Sequence, residues 1–437
     1  MTRDLTSGSP LKTILQFAIP VLLGLLLQQV YSLVDTAIVG HALGVMALGG
    51  VGATSSVNFL VIGFSGGLCT GMSIPIAQTF GAGDYRALRR YIGNCVWLSA
   101  IASALLLALT LPTCRAMLTA MGTPAEQFEY AFDYIFIIFC GIPATVLYNM
   151  GACVLRSLGD SKSPVWFLAL ASLINIVLDF AAIYGLKMGV AGAAIATVVS
   201  QAVSGVLCVW YMKKHFDVLR VEKDDWKFRR AEALRLLGMG VPVGLQFSIT
   251  AIGSVLLQSA VNSLGAIYVS GAAAASKLFQ LFCCPYDALA TAATSFTGQN
   301  LGAMQYDRAK KGARFGILVS ITLAELIGVG MYVFAPQLIS IFTPTPEVIA
   351  LGTQQARTIA LFYCLLAYSH AVASVCRGAG KAFVPMTIML ATWCALRIVY
   401  ITTVMHIVHE IQYIYWAYPL TWSVSSVIYF IYYHRSD

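Results

Sequence analysis

Apolar runs alternate with short polar stretches twelve times along the chain, with approximate limits 13–39, 45–73, 91–112, 128–155, 164–184, 189–212, 234–261, 266–297, 313–335, 347–376, 385–406 and 412–433. Helical residues rise 1.5 Å each, so a run of about 20 covers the roughly 30 Å apolar thickness of a bilayer. The pattern therefore predicts an all-α integral membrane protein with twelve transmembrane helices. Several runs exceed 25 residues, which implies tilt or kinks. Gly, Pro and Asp mark the loops, as at Gly81-Ala82-Gly83-Asp84 and Thr343-Pro344-Thr345-Pro346.

Composition fits that solvent. Of 437 residues, 59% are hydrophobic and 11% charged, against roughly 25% charged in soluble proteins. The net charge of +8 does not point to nucleic acid, because the basic residues sit between the apolar runs. With the N-terminus in the cytoplasm, inside segments hold 22 of the 27 Lys and Arg, including Arg3, Lys12, Arg156 and Arg377. Outside loops hold Arg115 and Lys187. This asymmetry predicts a multi-pass protein of the inner (plasma) membrane with both termini cytoplasmic. The first run lacks a small-residue cleavage pattern and reads as an uncleaved helix.

The chain also repeats itself at an offset of 221 residues. Arg156-Ser157-Leu158-Gly159 … Pro164 returns as Arg377-Gly378-Ala379-Gly380 … Pro385. Gln78-x-x-Gly81-Ala82-x-x-Tyr85 returns as Gln299-x-x-Gly302-Ala303-x-x-Tyr306, and Leu43-Gly44 as Leu264-Gly265. Pro20 answers to Pro242, one residue out of register. The repeat predicts an N-lobe over 1–212, a basic cytoplasmic linker over 213–233 and a C-lobe over 234–437. A duplicated membrane unit points to alternating access. The polar stretch Lys213–Arg235 reads as a solvated linker.

Enzyme motifs find no support. Gly63-Phe64-Ser65-Gly66-Gly67 fits G-x-S-x-G in letters but lies in a helical run, where glycines serve helix packing or kinking. His406, His409 and Glu410 fit no zinc-hydrolase order and read as an interfacial polar turn. The eleven cysteines include no C-x-x-C pair and read as small buried hydrophobes. No phosphate-cradling loop occurs, and no organic cofactor is expected.

The informative residues are ionisable groups inside the runs, because desolvation makes them costly. Asp35 and Asp179 each lie about five residues from the outer end of a run, roughly 8 Å below the boundary. Asn175 is one turn before Asp179 on the same helix face. Thr197 and Tyr134 enter the same outer slab. Carboxylate, amide and hydroxyl oxygens could coordinate Na⁺; alternatively, two close carboxylates could accept H⁺.

The runs Pro20 … Gln28-Gln29-Val30-Tyr31-Ser32-Leu33-Val34-Asp35, Asn175-Ile176-Val177-Leu178-Asp179 and Gly189-Val190-Ala191-Gly192 … Thr197 resemble multidrug and toxic compound extrusion (MATE) transporters, and most closely the DinF-like branch. The resemblance covers essentially the whole chain. It implies two pseudo-symmetric six-helix lobes around a V-shaped central cavity. It also implies a monomeric antiporter in the lipid bilayer, exporting amphiphilic or cationic drugs against Na⁺ or H⁺. By position, Asp35, Asn175, Asp179 and Thr197 match the cation site, as metal ligands if the ion is Na⁺, and Tyr134 matches the neighbouring tyrosine. Gln28, Tyr31 and Asn149 match cavity-lining positions, and Pro20 the proline at which the first helix bends.

The second half departs from the first, with Leu256 opposite Asp35 and Tyr400 opposite Asp179. In their place it is expected to bury Lys277, Asp287, Glu325, Arg357 and Arg397, with Glu325 and Arg357 at equal depth and so expected to pair. These cations keep a second reading open, a lipid-linked saccharide flippase of the same broader superfamily.

Overall fold

The computed structural model describes residues 4–341 and 344–436. Arg3 and the Thr343 of the Thr343–Pro346 loop lie outside them.

Twelve helical segments follow one another among the described residues, where the hydrophobic pattern places them. They are α1 (Pro10–Leu43), α2 with α3 (Val45–Ala53, Ser55–Gly81), α4 (Tyr85–Ala120), α5 with α6 (Ala125–Cys140, Ile142–Ser157), α7 (Lys162–Asp179) and α8 (Val190–His215). The second half supplies α9 (Arg230–Asn262), α10 (Ala266–Gly302), α11 (Tyr306–Ser340), α12 with α13 (Pro346–Ala360, Tyr363–Gly378), α14 with α15 (Phe383–Met389, Arg397–Ile407) and α16 with α17 (Ile411–Tyr415, Ala417–Arg435). Eight segments are long and apolar enough to cross a membrane among the described residues, and up to ten if each bent pair is one span.

The bends keep the repeat. α5 and α6 meet at 52° around Gly141, and α12 and α13 at 53° around Leu361 and Phe362. Phe362 is the residue 221 positions after Gly141. Pro143 explains the first break, since proline removes a helix donor and clashes with the preceding turn. Cys364 stands opposite Pro143 in the second half, yet the bend persists.

Turns also repeat. Gly44, Gly83 and Gly159 have φ of 89°, 70° and 84°, and their counterparts Gly265, Met304 and Gly380 have 124°, 59° and 88°. These left-handed residues stop the helices, a conformation glycine adopts without a Cβ penalty. After the stop at Gly83, Asp84 caps α4 by accepting from the Ala87 amide at 3.1 Å.

The chain packs as two compact units. One combines Leu23–Ser248 with Gly298–Met304 and the segment ending at Thr6; the other combines Ser7–Leu22, Ile249–Thr297 and Gln305–Asp437. Packing and duplication thus divide the chain differently, because α1 up to Leu22 belongs to the second unit and α9 up to Ser248 to the first. There a β-carbon at Gly67 would fall 2.7 Å from the Val243 carbonyl, and one at Gly71 would fall 2.3 Å from that of Met239. The glycines of the G-x-S-x-G look-alike therefore serve close packing of α3 on α9. Ser65 Oγ is buried and donates to the Ile62 carbonyl at 2.8 Å.

The linker stays mostly exposed, as expected of a solvated stretch, but part of it buries and docks on α4. Phe216 and Asp225 are buried. The Trp97 indole donates to the Trp226 carbonyl at 2.7 Å, Asn94 accepts from the Arg229 amide at 3.0 Å, and the Arg89 guanidinium donates to the Val218 carbonyl at 3.2 Å. The hydrophobic pattern shows this stretch as polar but does not show that Gly93 leaves room for the Asp225 backbone.

Candidate functional site

Four helices of the first unit converge on one polar cluster. α1 supplies Tyr31 and Asp35, and α7 supplies Asn175 and Asp179, each pair one turn apart and so on one face. α8 supplies Thr197 and α5 supplies Tyr134. Asp179, Asn175 and Tyr134 are buried. α7 ends at Asp179 and continues as a π-helical turn over Phe180–Gly185. Such turns reset the phase of a helix and recur at functional sites.

The Asn175 amide is the hub. Its Nδ2 donates to the Tyr31 hydroxyl and to Thr197 Oγ1, the latter at 3.4 Å. The Tyr31 and Thr197 hydroxyls lie 3.5 Å apart, and Thr197 Oγ1 donates to the Ala193 carbonyl at 3.0 Å. The carboxyl groups of Asp35 and Asp179 interact side by side, and the Tyr31 and Tyr134 phenols stand in the field of both. Ile38, Val39, Ile183 and Ala193 form an apolar cluster beside the site.

Four oxygens remain open. Asp35 Oδ1, Asn175 Oδ1 and both carboxylate oxygens of Asp179 are buried with no hydrogen-bond partner. Neighbouring like charges repel strongly where burial removes the screening of water. Two bare carboxylates are therefore unfavourable here. A shared proton relieves the repulsion by removing one charge, and a small hard cation relieves it by placing positive charge among the open oxygens.

Asp35, Asn175, Asp179, Thr197 and Tyr134 are thus brought together. Tyr31, expected along the cavity, joins the same cluster; its spacing of four residues from Asp35 is the signal that places it there. Gln28 is exposed and Asn149 half-buried, and no hydrogen bond among the described residues ties either to the cluster. Pro20 is buried, and α1 runs unbroken through it.

The expected burial of second-half charges needs correction. Among Lys277, Asp287, Glu325, Arg357 and Arg397, only Arg397 is buried. Its Nη2 donates to Thr421 Oγ1 at 3.0 Å and its guanidinium covers the Tyr418 ring at 4.7 Å. The expected Glu325–Arg357 pair does not form. Arg357 Nε donates to the Tyr332 carbonyl at 3.0 Å, while Glu325 reaches Cys364. The antiparallel register of α11 on α12 and α13 sets Arg357 beside Tyr332 and Cys364 beside Glu325, so the two charges lie about two turns apart along the helices and the expected equal depth does not hold. His370 on α13 was missed, although an ionisable residue within a run is itself the signal.

A duplicated bundle with a carboxyl pair buried among its helices defines a membrane transport protein. The MatE family model matches residues 20–181 and 242–403, so both halves of the repeat are covered. The chain is 31% identical over 398 residues to the "probable multidrug resistance protein YpnP" of Bacillus subtilis (strain 168), covering 90% of this chain and 88% of that one. It is 26% identical over 393 residues to a "probable multidrug resistance protein NorM" of Thermotoga maritima, covering 88% and 83%. In fold it matches an outward-facing structure of a multidrug resistance MATE family transporter, with a TM-score of 0.91 at 24% identity, over 98% and 96% of the two chains. The protein belongs to the MatE family and has its twelve-helix, two-lobe fold.

Proposed function

We propose that the protein is a secondary active multidrug efflux antiporter, exporting amphiphilic or cationic organic compounds in exchange for Na⁺ or H⁺ by alternating access. It works as a monomer in the inner membrane with both termini cytoplasmic, without an organic cofactor, and is nearest the DinF-like branch. The observation that carries this reading is the Asp35–Asp179 carboxyl pair with its open buried oxygens. The names of YpnP and NorM support the drug-export part.

Cation binding at this pair removes the repulsion between the acids and so favours the conformation that brings them together. Drug and cation then need only prefer different states for one gradient to drive the other. Tyr31 and Asn175 pass the change in charge between α1 and α7, and Pro20 lets α1 bend as it occurs. Gln28 and Asn149 line the drug path of the same unit.

The test is ethidium efflux from everted vesicles under separately imposed Na⁺ and pH gradients. One gradient should drive efflux in the native protein, and Asp35→Asn should abolish it with membrane insertion intact. Native rates in that variant would overturn the assignment.

A further inference from the structure

The second unit carries an ionisable pair that the first unit's acids do not explain. His370 on α13 and Asp287 on α10 place Nδ1 and Oδ1 3.8 Å apart, with 29% and 44% of their side-chain surfaces accessible. The imidazole lies between two rings, Trp393 at 5.3 Å and Tyr286 at 6.5 Å between centroids. Trp393 is itself pinned, its indole N–H donating to Ser425 Oγ at 3.0 Å.

The surroundings balance the charge. α10 sets Tyr286, Cys283 and Cys284 beside Asp287, with the Cys283 thiol and Tyr286 hydroxyl 2.8 Å apart. α13 adds Arg377, two turns beyond His370, which acts on both members of the pair. Tyr429 of α17 faces Arg377, and Glu325 of α11 meets α13 at Cys364. With Arg377 charged and Asp287 ionised, these two cancel and a neutral imidazole leaves the cluster uncharged. The 3.8 Å separation is longer than a hydrogen bond but within ion-pair reach, so protonation of the imidazole turns the two groups into an imidazolium–carboxylate contact.

The structure assigns a proton-binding site to this pair: a proton from water enters at His370, forms an imidazolium–carboxylate contact with Asp287, and returns to water when released. Histidine beside a carboxylate is the side-chain pair suited to changing charge near physiological pH, and ionisable groups at membrane depth carry tasks. The assignment is independent of the acid pair on α1 and α7.

Trp393 supplies the readout, because a protonated imidazole quenches a neighbouring indole. His215 also lies near an indole, 6.5 Å from Trp210, so every protein in the test carries His215→Gln. Tryptophan fluorescence is followed in lipid nanodiscs from about pH 8 to about pH 4. A one-proton quenching transition is expected, lost in His370→Gln and in Trp393→Phe and kept in Asp35→Asn. In Asp287→Asn it should move to lower pH, because the anion favouring the imidazolium is gone. Absence of the transition, its survival in His370→Gln, or an unmoved midpoint in Asp287→Asn would each overturn the site. Because no transport is measured, this outcome is separate from that of the efflux test.

Discussion

Gly81 and Gly302 are packed reciprocally: a β-carbon on Gly81 would fall 1.9 Å from the Gln299 carbonyl, and one on Gly302 would fall 1.9 Å from the Gln78 carbonyl. The two copies of the Gln-x-x-Gly motif thus seat against each other within the first unit. Their glutamines are fixed as well. Gln78 accepts from Arg235 at 2.6 Å, while Gln299 donates to the Ser157 carbonyl at 2.7 Å and accepts from the Leu5 amide at 3.0 Å.

A methyl group at either glycine therefore meets backbone that cannot swing aside. Gly81→Ala and Gly302→Ala should each destabilise by roughly 1–3 kcal/mol, the usual range of overpacking. The double variant should cost less than the sum, because one displacement serves both. Thermal melts in detergent read this out, and unchanged melting in both single variants would refute the close contact.

Met304 occupies the left-handed turn that Gly83 occupies in the first half, and the residue is 76% exposed. A left-handed residue with a Cβ costs about 1–2 kcal/mol, and glycine's extra unfolded-state entropy returns about 0.5–1. With no packing to lose, Met304→Gly should raise stability by up to roughly 1 kcal/mol. A lower melting temperature would contradict it.

In the acid site, Thr197→Val should weaken the Asn175 network by about 0.5–1.5 kcal/mol, the net worth of a hydrogen bond. Asp179→Asn should stop gradient-driven efflux as fully as Asp35→Asn, since either removes one member of the pair. Efflux retained in only one of the two would show that the carboxyls act separately.

Glu325 and Arg357 should behave independently. A double-mutant cycle with Glu325→Gln and Arg357→Gln should give a coupling within about 0.5 kcal/mol of zero. A larger favourable coupling would restore the ion pair that the expectation of equal depth suggested.

The docked linker should respond to acid. Asp224 is held below the usual carboxylate range by its hydrogen bond and ion pair with Lys227 at 2.7 Å, with Arg229 adding a second pair at 2.9 Å. A lowered folded-state value means the contact is present above the unfolded value and is lost as pH falls through the folded one. Digestion by an acid protease should therefore quicken within the linker as pH falls below the ordinary aspartate range, and Asp224→Ala should quicken trypsin cleavage there at neutral pH. Equal cleavage of variant and native chains would argue that the pairs do not hold the linker.

The repeat and the runs were legible because each rests on a one-dimensional signal. Burial of a helix needs a run of apolar residues, and a left-handed turn favours glycine, so Gly44, Gly83 and Gly159 announced stops that their counterparts repeat. The chemistry of Asp35, Asn175 and Asp179 was legible for a related reason, since polar groups in apolar runs stand out by cost alone. Tyr31 and His370 obeyed the same rule. Their partners, however, lie on other helices, and sequence spacing is silent about those.

By itself, then, the sequence determined the apolar helical runs, the duplication and which ionisable groups sit inside those runs, because each is written along one axis. Tertiary packing decided which groups meet. It brought Asp35 to Asp179 and His370 to Asp287, set Arg357 beside Tyr332 and about two turns from Glu325, and kept the bend at Phe362 without a proline. The axial register, rotation and crossing of neighbouring helices set those outcomes, and all three are fixed by side-chain packing across helices far apart in the chain.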